Sequence, residues 1–307
     1  MMIATNRAVY AKLVCVALIW GGSFIAARIV ALEMAAPTAA LWRYLIATTA
    51  LLGLLFALER GFPRLSQAQI IRVCLLGVTG VVLYNVLFLY GMRSVTASRG
   101  SLIIATIPAA TLLGGALFQH ERFTLRQGGG IAIALLGVAI ELGHGNPLAL
   151  FAGHAGVGEA ALFACVLSWA AYTLIGKQLL NKLSPLAATT YSAVVGTLLL
   201  VVVASATGDL VVPAATTRGW VALAFLGLFT TALAYIWFYD GVQTIGPARS
   251  AVFVNLVPIA AITLGVLMLG EPLTLSMIVG AALVVAGVFI INWPARAAAA
   301  PSVVPLH

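Results

Sequence analysis

Long apolar stretches alternate along this chain with short polar breaks that hold most of its Arg, Lys and Glu residues. Ten stretches, over 10–32, 38–58, 68–90, 97–118, 127–143, 157–180, 185–206, 218–242, 248–269 and 274–293, each predict one helix. Their lengths centre on the roughly 20 apolar residues that carry an α-helix across a bilayer core. A charge at the middle of such a helix costs roughly 2.5 to 3.5 kcal/mol on insertion. The acidic residues keep to this rule, since Glu33, Glu59, Glu121, Glu141, Glu159, Asp209, Asp240 and Glu271 all fall at ends or in breaks. The expected fold is all-α and membrane-embedded.

Composition points the same way: 63% of the 307 residues are hydrophobic, 8% are charged, and the mean hydropathy is +1.12. The formal charge of +8 raises the question of nucleic-acid binding. Distribution answers it, because the basic residues stand singly or in pairs at helix ends rather than in a patch interleaved with aromatic rings. Eleven of the sixteen Lys and Arg residues fall on the face of the N-terminus, which the positive-inside rule makes cytoplasmic; ten crossings return the C-terminus to that face. Arg7 and Lys12 could head a secretory signal, but the apolar run from Leu13 to Leu32 exceeds an h-region of about 7 to 15 residues. Cys15, Cys74 and Cys165 all lie within apolar stretches and read as small buried side chains, with neither number nor spacing for a disulfide framework or a metal.

The chain also repeats itself. Residues 72–141 match 222–291 at a constant offset of 150, with 18 identities in 70 aligned positions. Gly77 pairs with Gly227, Gly91 with Gly241, Arg99 with Arg249, Pro108 with Pro258, Glu121 with Glu271, Gly130 with Gly280 and Gly137 with Gly287. The first two helices of each half correspond more loosely, Trp20 with Trp169 and Pro37 with Pro185. Five helices per half is an odd number, so the second half enters the membrane from the opposite side. Two inverted-topology units pack about a pseudo-twofold axis in the membrane plane, and the surface between them can open to either side, as in secondary transporters. The expected organisation is a five-helix repeat over 10–143, a Gly- and His-containing linker over 144–156, a second five-helix repeat over 157–293 and a disordered Ala/Pro tail over 294–307. His144 and His154 lack a Cys, Asp or Glu cluster and read as loop residues; no metal or cofactor is expected.

Each repeat carries a Trp near the middle of a helix, far from the interface where Trp normally anchors, so each must pack in protein or line a cavity. Trp20, Ser23 and Phe24 share one face of the first helix, and Trp169, Tyr172 and Thr173 one face of the sixth. Tyr84, Asn85 and Phe88 cluster on the third helix, with Tyr235 and Phe238 near the corresponding positions of the eighth. Thr106 and Asn255 precede Pro108 and Pro258, and a mid-depth Asn needs a neighbour, a water or a ligand. These thirteen residues are the expected substrate pocket, aromatic with a few neutral polar groups. For each, a helix-packing or interhelical hydrogen-bonding role is the alternative. Gly77, Gly227, Pro108 and Pro258 are the expected hinges and kinks. Arg43 and Lys177 are expected to snorkel towards helix ends.

An obligatory proton antiporter needs an ionisable group that loads and unloads in the path, and none is central here, which favours facilitated diffusion. A proton-coupled multidrug or toxic-metabolite exporter is the alternative. A small multidrug antiporter would carry a Glu in the first helix, and none lies between Ala11 and Leu32. A membrane-embedded enzyme would gather a nucleophile, an acid–base pair or a metal cluster, and no such grouping is visible.

The run Leu18-Ile19-Trp20-Gly21-Gly22-Ser23-Phe24, the stretch from Pro37 to Arg43-Tyr44, and the pattern Gly241, Ala248-Arg249-Ser250, Pro258, Gly270-Glu271-Pro272-Leu273-Thr274, Gly280 and Gly287 carry a resemblance. The chain resembles the EamA family of the drug/metabolite transporter superfamily, and within it the bacterial amino-acid exporters of the YddG type. The resemblance covers about residues 10–293. It implies an exporter of the bacterial inner membrane that moves aromatic and other neutral amino acids through a central cavity; the protein is expected to function as a monomer. It also places Glu121 and Glu271 at the ends of helix hairpins on opposite membrane faces, in a structural role.

Overall fold

The computed structural model describes residues 2–59, 61, 63–148, 156–179, 183–212 and 214–293. The expected linker lies partly outside these residues, and the expected tail wholly outside. Among the described residues, ten helices are long and apolar enough to cross a membrane. They are α1 (Met2–Glu33), α2 (Ala36–Glu59), α3 (Gln67–Met92), α4 (Ala97–Ile104 and Ile107–Phe118), α5 (Leu125–Leu142), α6 (Val157–Leu179), α7 (Pro185–Ala206), α8 (Thr217–Ile245), α9 (Pro247–Val254 and Val257–Leu269) and α10 (Leu275–Asn292). Large apolar side chains such as Leu117 and Phe118 point outward, as suits helices whose outer solvent is lipid. Cys15 and Cys74 also face outward, contrary to the expectation of burial; only Cys165 of the three lies inside the bundle.

Helix starts follow from capping. Thr124 accepts the Gln127 N–H at the start of α5, and Thr274 accepts the Met277 N–H at the start of α10, the same place in each repeat. The turns before them also match: His120 and Gly270, 150 residues apart, both hold the left-handed conformation that ends a helix, with φ of 54° and 67°.

Two departures from plain α-helix recur at matched positions. The first lies in α4 and α9, which are interrupted between Ile104 and Ile107 and between Val254 and Val257. Pro108 and Pro258 have no N–H to give to the carbonyls one turn earlier, so each helix ends and a new one starts. The intervening residues tighten instead, Thr106 N–H bonding Ile103 and Asn255 N–H bonding Val252. The second is a π-helical segment in each long helix, Gly77–Leu83 in α3 and Phe225–Leu233 in α8. The expected kinks at the prolines are full breaks, and the expected glycine hinges fall within π segments, which the sequence pattern did not disclose.

Packing is reciprocal between the halves. A Cβ on Gly91 of α3 would lie 2.6 Å from Leu162 of α6, and one on Gly241 of α8 would lie 2.7 Å from Leu13 of α1. Likewise, Gly77 abuts Val195 of α7, and Gly227 abuts Ile46 of α2. In each pair residue i meets j and the sequence equivalent of i meets that of j, the pattern expected of two units related by a twofold axis. The tightest crossing is between α5 and α10, where Gly137 approaches Gly280 and Gly130 approaches Gly287 so closely that any Cβ would sit 2.6 to 2.8 Å from backbone oxygen. Small residues let these backbones meet, the usual means of helix association in lipid. With α3 and α4 resting on α6 and α7, and α8 and α9 on α1 and α2, the space at the centre is walled by both halves.

Candidate functional site

A cavity of about 380 Å³ occupies that centre. It is bordered by Trp20, Ser23 and Phe24 from α1, Tyr84, Asn85 and Phe88 from α3, Trp169 from α6, Tyr235 and Phe238 from α8, and Asn255 with both prolines at the helix breaks. Thus ten of the thirteen expected pocket residues meet around one space. The rings form two groups that exchange halves: Trp20 lies 5.3 Å from Phe238 and 6.0 Å from Tyr235, while Trp169 lies 4.5 Å from Tyr84, which stacks on Phe88 at 5.8 Å. Phe24 meets Phe88 edge to face at 5.4 Å, adding a ring from α1 to the second group. Trp20 is fixed by its indole N–H, which donates to the Thr230 carbonyl at 3.2 Å.

Three expected pocket residues stand elsewhere. Thr173 is exposed on the outside of α6 and returns its hydroxyl to the Trp169 carbonyl at 2.9 Å, because four residues along a helix brings a Thr hydroxyl back to the preceding turn rather than into the bundle. Thr106 is buried, but its hydroxyl donates to the Ile103 carbonyl at 2.6 Å across the break in α4, leaving Ala105, Ile107 and Pro108 to face the cavity. Tyr172 lines a smaller recess beside the cavity, sharing Tyr44, Trp169, Thr231 and Tyr235 with it.

Arg43 departs most from expectation. It does not snorkel: it is 8% exposed, borders the cavity, and donates to the hydroxyls of Thr230 and Thr231 at 3.3 and 3.4 Å. The π segment of α8 brings these hydroxyls together, since both donate their own protons to the Leu226 carbonyl. Lys177 does stay at a helix end, exposed and paired with Glu121. Tyr44, Ser101, Thr230, Thr231 and Asn292 also line the cavity without having been singled out. The adjacent hydroxyls of Thr230-Thr231 in an apolar helix were the available signal.

The two membrane faces are built differently. On the face away from the termini, Glu271 caps the start of α4, and Arg99 meets Glu141 at 3.5 Å and Glu159 at 3.4 Å. The first half of α4 packs there on the second half of α9. Towards the face of the termini the cavity extends to Asn292, the last residue of α10. The arrangement can hold a compact, largely apolar molecule near the middle of the helices, with the Glu271 contacts on the face away from the termini.

Known proteins agree with this architecture. The sequence matches the EamA-like transporter family twice, over residues 8–142 and 156–293, one match for each half. It is 27% identical to the uncharacterized transporter YyaM of Bacillus subtilis, over 91% of this chain and 92% of that protein. It is 31% identical to a probable terminal-alkyne amino-acid exporter of Streptantibioticus cattleyicolor, over 94% of each chain. A solved crystal structure shares the fold with a TM-score of 0.63 at 16% identity, covering 93% of this chain and 97% of the other. The cavity between two reciprocally packed halves and the double family match lead to one conclusion: this chain belongs to the EamA-like transporter family and is a multi-pass membrane transporter.

Proposed function

We propose that this transporter exports neutral amino acids, aromatic ones included, by alternating access through the central cavity and by facilitated diffusion. The observation that carries the reading is the cavity itself, walled near the middle of the helices by Trp20, Trp169, Tyr84, Tyr235, Phe88 and Phe238, with Glu271 joining α9 to α4 on the face away from the termini. Aromatic pairs contribute about 0.5 to 1.5 kcal/mol beyond area burial, so such walls favour substrates with rings or bulky apolar side chains. The probable amino-acid exporter among the relatives supports the same substrate class. Access alternates when the closed face opens and the face of the termini closes, with the breaks at Pro108 and Pro258 as the points of bending. The protein sits in a bacterial inner membrane with both termini cytoplasmic and works as a monomer.

A proton-coupled exporter of multiple drugs finds less support. Among the described lining residues the ionisable group other than Tyr is Arg43, whose positive charge repels lipophilic cations. Counterflow decides the matter: proteoliposomes loaded with unlabelled phenylalanine at equal pH on both sides should take up labelled phenylalanine, and a protonophore should leave the rate unchanged. Abolition of flux by the protonophore sinks facilitated diffusion, and exchange of lipophilic cations but not amino acids sinks the substrate assignment.

A further inference from the structure

We propose that Arg43 is a carboxylate anchor, so that this carrier selects molecules bearing a carboxylate beside an apolar or aromatic group. The inference deepens the amino-acid reading by naming the part of the substrate that is held.

Three observations carry it. First, Arg43 places a guanidinium inside the membrane bundle, 8% exposed, and no carboxylate among the described residues pairs with it. The acidic side chains near other cations are committed elsewhere: Asp240 to Lys12, Glu141 and Glu159 to Arg99, Glu121 to Lys177. Second, what Arg43 does contact is neutral and incomplete. Its Nη2 reaches two Thr hydroxyls at 3.3 and 3.4 Å, its guanidinium lies 5.9 Å from the centre of the Tyr44 ring, and its Nε has no partner. A buried charge in that condition carries a desolvation cost that an anionic ligand would relieve. Third, the group borders the substrate-sized cavity rather than a closed packing void, and its neighbours there include Trp20, Tyr44 and Tyr235.

The chemistry narrows to one negative charge. A planar guanidinium matches a carboxylate fork with two parallel hydrogen bonds. A phosphate dianion would call for a second cation, and none stands beside Arg43 among the described lining residues; Arg28 donates to the Met92 carbonyl and Arg99 meets its two glutamates. An amine without an acid meets only repulsion from Arg43. Organic acids and zwitterions therefore bind, while their amides and decarboxylated forms do not.

The experiment uses purified full-length protein in proteoliposomes, with four probes that share a phenylethyl frame: phenylalanine, 3-phenylpropionate, phenylalaninamide and phenethylamine. Competition against labelled phenylalanine counterflow should rank the first two well above the last two. A charge-assisted hydrogen bond makes that gap roughly 10- to 100-fold. Arg43→Gln should collapse the gap and Arg43→Lys should keep part of it, a pattern that general loss of structure would not give. If the wild type accepts the amide as readily as phenylalanine, the anchor is wrong while the amino-acid reading stands. If phenylalanine does not move at all, binding of the same four probes is read from tryptophan fluorescence. An Arg43-dependent preference for 3-phenylpropionate then upholds the anchor and removes the amino-acid reading; no preference for the acids removes both. Should Arg43→Gln fail to fold, the acid-against-amide ratio of the wild type decides by itself.

Discussion

Glu121 and Glu271 occupy the same place in the two repeats, yet they hold different partners. Both fold back over a glycine of their own hairpin, Gly115 and Gly265, whose carbonyls accept their backbone N–H groups at 3.1 and 3.2 Å. Glu271 then reaches across to the other half, accepting the Ala97 N–H at 2.6 Å, the Ser98 N–H at 2.9 Å and the Ser98 hydroxyl at 2.5 Å. Glu121 instead pairs with Lys177, with the two side chains 43% and 62% exposed. The donors that the inverted repeat offers to Glu121 are also poorer, because Pro247 stands where Ala97 is and has no N–H, and Ala248 stands where Ser98 is and has no hydroxyl. The cap on the Glu271 face is thus written into residues that the opposite face lacks.

Glu271→Gln should open that face. The variant replaces a carboxylate that accepts three hydrogen bonds with an amide that presents donors to donors, at a loss of about 1.5 to 3 kcal/mol for each charged bond. A thiol at the cavity-lining position Ser101, in a background without Cys15, Cys74 and Cys165, reports it. Labelling by a membrane-impermeant maleimide from the Glu271 face is expected to be slow in the parent and faster in the Glu271→Gln variant. Glu121→Gln should change little by comparison, since an exposed ion pair contributes about 0 to 1 kcal/mol.

Trp20→Ala and Trp169→Ala should each slow amino-acid counterflow several-fold, with protein still present and folded in the membrane. Each removes a ring that meets the opposite half, at about 0.5 to 1.5 kcal/mol beyond its area. Thr173→Ala is the matched control, being on the same helix as Trp169 but exposed outside the cavity. Equal slowing in all three variants would count against the cavity as the path.

Pro258→Ala should restore continuity to α9. An alanine N–H at that position can reach the Val254 carbonyl, and proline in a helix interior costs about 3 kcal/mol. The variant is expected to melt at a temperature no lower than the parent in detergent, while counterflow falls because the bending point is lost. Faster flux with lower stability would reverse the argument.

Gly137→Ala should be strongly destabilising, because its new Cβ would sit 2.6 Å from the Gly280 carbonyl oxygen and force α5 from α10. Overpacking of this kind costs about 1 to 3 kcal/mol or more. Gly129→Ala lies on the same helix with nothing within 4 Å, and there the gain in helix propensity, up to about 1 kcal/mol, should dominate. Thermal melting of the two variants in one detergent distinguishes crossing from surface.

The ten helices, their order and the duplication were legible because each is a property of residues near one another in the chain. Lipid requires about 20 apolar residues per crossing, and a proline removes a donor wherever it stands, so the breaks before Pro108 and Pro258 could be located in advance. Most of the cavity lining was legible for the same reason: Trp20 and Trp169, matched in sequence and central in their helices, stand in two groups of rings around one space. Tertiary structure alone decided the rest. Whether Thr173 faces lipid or cavity depends on the rotation of α6 within the bundle, and an apolar helix in lipid has no polar stripe to set that rotation. Whether Arg43 snorkels or turns inward depends on the hydroxyls of Thr230 and Thr231, almost two hundred residues away and presented together by a π segment. That Glu271 reaches Ala97 and Ser98 at all depends on α4 and α9 being packed together, a contact between segments more than 170 residues apart.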